Sequence, residues 1–123
     1  MSITATTGNR FYKRFTPDAI KAECGVDDEY ASEVATLLRS RVELAQDSLD
    51  ARNETAKKVP GCNDARLEIT IRNETIAVAL VDQGFGRSAR FVGSIEKYLD
   101  VIGMAYMAIN RERSILESIS RSI

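Results

Sequence analysis

The sequence predicts a mainly α-helical protein, a small bundle built on two long helices at about 28–57 and 88–118. Two observations support this prediction. In the first helix, apolar residues recur at steps of three and four, which is typical of an amphipathic helix. In the second, the stretch 98–109 has Asp100 as its only charge. A helix that is apolar on most sides needs neighbours on most sides, so we expect this stretch to be covered in an assembled state.

Composition indicates a single globular domain without a strong preference for charged partners. The chain has 123 residues, 44% of them hydrophobic, and a net charge of −1. We expect an N-terminal arm at 1–15, a helical domain at 16–113 and a C-terminal tail at 114–123. The first residues lack the features of a signal peptide, and the apolar stretch is shorter than the roughly 20 residues that span a bilayer. We therefore expect a cytoplasmic or virion protein that is not secreted and has no membrane partner.

The arm combines a polar beginning with a basic and aromatic end. Residues 1–9 are small and polar without periodicity, and residues 10–15 contain three cations and three aromatic rings. This second segment could follow a nucleic-acid backbone with its rings stacked on bases, pack against a neighbouring subunit, or dock on its own core as an edge strand or arm. Three charges are few for nucleic-acid binding, which is therefore possible but not favoured.

The first helix has clear start and stop signals. Thr16 can cap it, Pro17 suits the first helical position, and Asp18 places an acid in the first turn. The helix should end at Cys24, with Gly25 in the left-handed conformation.

The second helix is the most regular in the sequence. Asp27 or Asp28 can cap it, and the segment 59–61, Val-Pro-Gly, should end it. Its apolar stripe consists of Tyr30, Val34, Leu37, Leu38, Val42, Ala45 and Leu49.

The segment 63–83 fits two structures. Apolar residues alternate on both sides of 72–75, which suits a β-hairpin over 66–82. A helical wheel instead places apolar residues on two opposite sides, as in a helix between two layers. We favour the helix, because a lone hairpin is only marginally stable. The tetrapeptide Arg-Asn-Glu-Thr of 72–75 also occurs at 52–55 without further similarity, which indicates coincidence.

The last helix is expected to begin after the segment 84–87, Gly-Phe-Gly-Arg, with Ser88 as its cap. This segment is similar to half of a phosphate-binding loop, but it lacks the third glycine and the lysine of the known motifs, so a plain turn is preferred. The predicted core stripe consists of Phe91, Val92, Ile95, Leu99, Ile102, Tyr106 and Ile109.

The residue types argue against an enzyme and against a cofactor. The chain contains no histidine, which is the commonest general base, and only two cysteines, Cys24 and Cys62. Zinc sites use about four ligands of these types, so no metal site is expected. We expect both thiols to be reduced.

The order of a short helix, the junction 25–28 and a long helix resembles the beginning of the head-tail connector (adaptor) proteins of tailed phages. In that family a later helix ends near an Asn-Arg-Glu triplet, which is similar to residues 110–112 here. The resemblance implies a ring of subunits beneath the portal, with the portal or tail proteins as neighbours.

We therefore expect a structural subunit of a homo-oligomeric assembly, in the specific form of a phage head-tail connector (adaptor) ring protein. The alternative is a small binding module that inhibits or regulates a host protein or a nucleic-acid machine. In the assembly the two ends and the apolar helix would provide the contacts, whereas in the binding module the segment 10–15 would be the contact. The predicted interface residues are Arg10, Phe11, Tyr12, Arg14, Phe15, Met104, Met107, Ile115, Leu116, Ile119 and Ile123.

Overall fold

A computed structural model describes residues 2–6, 14–82 and 88–123 of the chain. Within these ranges the protein has three α-helices and a four-stranded antiparallel sheet, so the predicted mainly α bundle with two long helices is wrong. The elements are β1 (Ser2–Thr6), α1 (Pro17–Cys24), α2 (Asp28–Ala56), β2 (Ala65–Arg72), β3 (Thr75–Asp82), β4 (Ala89–Ser94), a 3₁₀ turn (Ile95–Lys97) and α3 (Tyr98–Ser122).

The strands lie in the order β1-β2-β3-β4, and each pairs with its neighbours in antiparallel register. Residue Ile69 of β2 pairs with Val78 of β3, and Val78 pairs with Phe91 of β4. Because side chains alternate along a strand, these residues share one face of the sheet. That face lies in the core together with the helices, whereas Arg66 and Arg72 at the other face are exposed.

The segment 65–82 is a β-hairpin, so the preference for a helix there was wrong. The preference rested on the weakness of a lone hairpin, but β1 and β4 extend this hairpin on both sides into a larger sheet. Leu67, Ile69 and Ile71 are then fully buried. The turn uses Asn73 at a φ of 55°, a left-handed conformation that asparagine tolerates better than most residues.

Two further expectations are corrected at the ends of the sheet. Residues 2–6, expected to lack regular structure, form β1 along the free edge of β2. Residues 89–94, expected to begin the last helix, form β4, and the helix itself begins at Tyr98. Sheet pairing decides both segments. The partner of β1 is β2, which is distant in sequence, and the partner of β4 is the preceding strand β3.

The first two helices confirm their predicted boundaries. The hydroxyl of Thr16 accepts a hydrogen bond of 3.2 Å from the backbone N–H of Ala19, and Gly25 ends α1 at a φ of 67°. A carboxylate oxygen of Asp27 accepts a hydrogen bond of 2.8 Å from the N–H of Tyr30 and caps α2.

The core lies between one face of the sheet and the helices, and α2 and α3 pack against each other over much of their length. Leu99 and Tyr106, predicted as core residues, are each 37% exposed. The residues of α3 that do enter this core are Tyr98, Val101, Ile102, Ala105 and Ile109. None of the helices in the described ranges combines the length and the apolar character needed to cross a membrane.

Candidate interface on the outer face of α3

The side of α3 that faces away from the core is apolar over its first half, apart from Asp100. We call Leu99, Gly103, Met104, Tyr106 and Met107 the outer face of α3. Met107 is 71% exposed and Met104 is 43% exposed. The sequence between Tyr98 and Asn110 offers only one charged residue, so apolar side chains must fill the positions that the core does not use. Large exposed apolar side chains in one place are typical of contact surfaces.

A shallow groove runs beside this face, between α2 and α3. Its volume is about 190 Å³, and its lining includes Leu44 from α2 and Leu99, Gly103 and Tyr106 from α3. Leu44 is 49% exposed, so the apolar surface continues from one helix to the other. A Cβ atom placed on Gly103 would meet no atom within 4 Å, which leaves the helix backbone open to close approach.

The N-terminal part of the predicted interface is described only in part. Arg10, Phe11 and Tyr12 lie outside the described residues. Arg14 is exposed, and Phe15 is 4% exposed and belongs to the main core. The structure therefore assigns Phe15 to the interior of its own chain.

The C-terminal part of the predicted interface divides into two groups. Leu116 is 1% exposed and packs with Ala56 and Val59 in a small second core, against which Ile119 also packs. The structure assigns these two tail residues to contacts within the chain. The predicted tail residues that remain on the surface are Ile115 and Ile123, with exposures of 51% and 72%.

Arg52 of α2, which was not predicted from the sequence as a functional or structural residue, is 1% exposed and contacts α3 just before this tail. Its Nε donates a hydrogen bond of 2.8 Å to a carboxylate oxygen of Glu112 on α3, and its Nη1 donates one of 2.6 Å to the carbonyl of Asn63. Arg52 lies three residues after Leu49, in the apolar stripe of α2. That position was the available signal, because a charge within a buried stripe needs an internal partner.

A second polar group joins the same elements. Ser48 of α2 donates a hydrogen bond to the side chain of Asn110 on α3. The side-chain amide of Asn53 donates to the carbonyl of Ala65 at 3.0 Å and accepts from its N–H at 2.9 Å. These contacts fix α3 and the start of β2 relative to α2, so the outer face of α3 is held on a rigid support.

An acidic depression of about 700 Å³ lies near the start of α2, lined by Asp27, Tyr30, Glu74, Ser94 and Glu96 among others. Burial raises the pKa of the Tyr30 hydroxyl, and the nearby carboxylates Glu96 and Glu33 raise it further. Over the described ranges, no group of three or more His, Cys, Asp or Glu side chains is arranged to hold a metal ion.

Cys24 and Cys62, which both lie among the described residues, are not joined by a disulfide. Cys24 is buried at the end of α1, and this burial, with smaller effects of Glu23 and Glu74, raises its pKa. A raised pKa lowers the fraction of thiolate at neutral pH and so makes the thiol less nucleophilic. The surroundings of Cys24 are therefore those of a structural cysteine and not of a reactive one.

Comparisons with protein-family models, with characterised proteins and with solved structures return no match to this chain.

Proposed function

We propose that this protein is a structural subunit of a homo-oligomeric assembly, and that the outer face of α3 is a contact surface of that assembly. The observation that carries the proposal is the exposure of Met107, Met104 and Tyr106 beside Leu44 and Leu99. Removing apolar surface from water stabilises a contact by roughly 25 cal/mol for each Å². The rigid packing of α3 against α2 means that little ordering would be needed on binding.

The specific form that we propose is the head-tail connector ring of a tailed phage. This form is supported by the order of α1, the junction at Gly25 and Asp27, and the long helix α2, which are the features on which the resemblance rests. The third helix differs from the family pattern, because it continues past residues 110–112 to Ser122.

The mass of the purified protein in solution tests the proposal. We expect light scattering coupled to size-exclusion chromatography to give a multiple of 13.6 kDa. Low-resolution electron-microscope images would then distinguish a closed ring from a smaller particle. A protein that stays monomeric up to high concentration would contradict the proposal. A monomer that binds one different protein tightly would support the alternative, a small binding module.

A matched pair of variants tests the surface itself. Met107→Glu places a charge on the outer face of α3 and should weaken association at least tenfold, because a buried unpaired carboxylate is unfavourable. Ser40→Glu introduces the same carboxylate at an exposed position of α2 and should leave the mass unchanged. Equal association by both variants would exclude this face as the contact.

A further inference from the structure

Four side chains form a straight stripe along the exposed side of α3, at Asp100, Met104, Met107 and Arg111. Their spacings of four, three and four residues place them on one side of a helix. All four are exposed, and the buried residues of α3 lie on the opposite side. The stripe thus has an acid at one end, two methionines in the middle and a base at the other end.

The stripe is complementary to a second copy of itself that runs in the opposite direction. If two α3 helices pack antiparallel about a two-fold axis between residues 105 and 106, Met104 lies opposite the partner's Met107. The same axis places Asp100 opposite the partner's Arg111, and both contacts occur twice. A parallel pair would instead place Asp100 beside the partner's Asp100, and like charges would repel. The charges therefore select a single direction of pairing.

Two features within the chain leave this stripe available. Among the described residues neither Asp100 nor Arg111 takes part in an ion pair. Small residues also flank the methionines, since Gly103 would lie opposite the partner's Ala108 about the same axis. Without a Cβ at Gly103 the two helices can approach closely.

We infer that a second copy of this chain docks antiparallel on the stripe of α3, with four methionines enclosed between two Asp100–Arg111 ion pairs. The inference rests on the proposed function and identifies the partner at its contact surface. A two-fold contact of this kind closes at two copies. A ring would therefore consist of such pairs. A second, different surface on each chain would have to join the pairs head to tail.

Sedimentation equilibrium of the full chain tests the inference through charge reversal and charge exchange. Asp100→Arg and Arg111→Asp should each weaken association at least tenfold, because each variant sets like charges opposite each other. The double variant should restore association to within about threefold of the natural chain, because it exchanges the two ends of the stripe. All of these side chains are exposed, and circular dichroism would check that the variants stay folded.

The matched control is Asp47→Arg, which makes the same charge change on the exposed side of α2 and should leave association unchanged. If the natural chain assembles and both single variants assemble equally well, the pairing through α3 is overturned while the proposed function stands. If the natural chain is monomeric at all concentrations, the proposed function fails as well. A double variant as weak as the single ones would also overturn the inference, because pairing of the two charges predicts rescue.

Discussion

The charged side chain of Arg52 is almost fully buried, and an unpaired guanidinium in such a position would be strongly unfavourable. Glu112 compensates the charge, and Asn63 and Asn53 accept further hydrogen bonds from the same guanidinium. Removing Glu112 would therefore leave the Arg52 charge buried without a counter-ion, which is unfavourable. Arg52 thus connects the long helix α2, the loop after it and the last helix α3.

We expect Glu112→Ala to lower the free energy of unfolding by about 3 kcal/mol, because it leaves the Arg52 charge buried without its counter-ion. Glu117→Ala is the matched control on the same helix. It removes an acid that pairs with Arg113 at the surface and should cost less than about 1 kcal/mol. Urea unfolding of both variants measures the difference. Equal losses would contradict the role given to Arg52.

We expect replacement by alanine to have opposite effects on the free energy of unfolding at two glycines. A Cβ on Gly93 of β4 would lie 2.8 Å from a methyl group of Val101, so Gly93→Ala should lower the free energy of unfolding by about 1 to 3 kcal/mol. Gly103 lies within a helix and has open space around it, so Gly103→Ala should raise that energy by about 0.4 to 1 kcal/mol. Thermal unfolding measures both. A stabilising Gly93→Ala would show that β4 and α3 do not approach closely.

At the scale of whole elements, the sequence predicts those parts whose signals are local. The boundaries of α1 depend on Thr16, Pro17 and Gly25, which act within one helical turn, and they were predicted correctly. β1 and β4 depend on pairing with β2 and β3, which no local pattern reveals. The period of the hairpin segment was visible, but its stability comes from those outer strands.

The repeated tetrapeptide Arg-Asn-Glu-Thr illustrates the same limit. At 52–55 it is helical, and at 72–75 it ends one strand, turns and begins the next. Asn53 pairs with the backbone of β2, whereas Asn73 takes the left-handed turn conformation. The same four residues thus adopt the structure that their surroundings stabilise.

The end of α3 allows a test that separates folding from association. Leu116→Ala should lower the free energy of unfolding by about 2 to 3 kcal/mol, because it empties a buried site beside Ala56 and Val59. Its neighbour Ile115 is half exposed, and Ile115→Ala should cost less than about 0.5 kcal/mol at concentrations where the chain is dissociated. Unfolding curves at low concentration check both values. A small loss for Leu116→Ala would mean that the tail does not pack on its own chain.

For the molecule as a whole, the contact surface stays a prediction. The near absence of charge in 98–109 predicted a contact surface that includes Met104 and Met107, and the structure shows that both side chains are exposed. The helical wheel could not decide which side faces the sheet, and it assigned Leu99 and Tyr106 to the core. Which side of α3 faces the sheet depends on the position of β4, and residues 89–94 had been predicted as part of the helix.

The free energy of unfolding depends on pH through three side chains that are neutral in the folded protein. Burial is the main cause that raises the pKa of the Cys24 thiol and of the Tyr30 and Tyr98 hydroxyls, and neighbouring carboxylates add to it. Glu33 acts on both tyrosines. Each of these groups is thus harder to ionise in the folded chain than in the unfolded chain. Their stabilisation is fully present below the ordinary pKa values and is lost as the pH rises through the raised ones.

We therefore expect the free energy of unfolding to fall as the pH rises above the ordinary thiol pKa of 9.0, and to fall more steeply above the ordinary tyrosine value of 10.0. Urea unfolding in a reducing buffer, repeated from neutral to alkaline pH, measures this dependence. Cys24→Ala should flatten the first part of the fall and leave the second part, because the alanine has no proton to lose. Tyr30→Phe should flatten only the second part. A free energy of unfolding that rises across this range would contradict the direction assigned to all three groups.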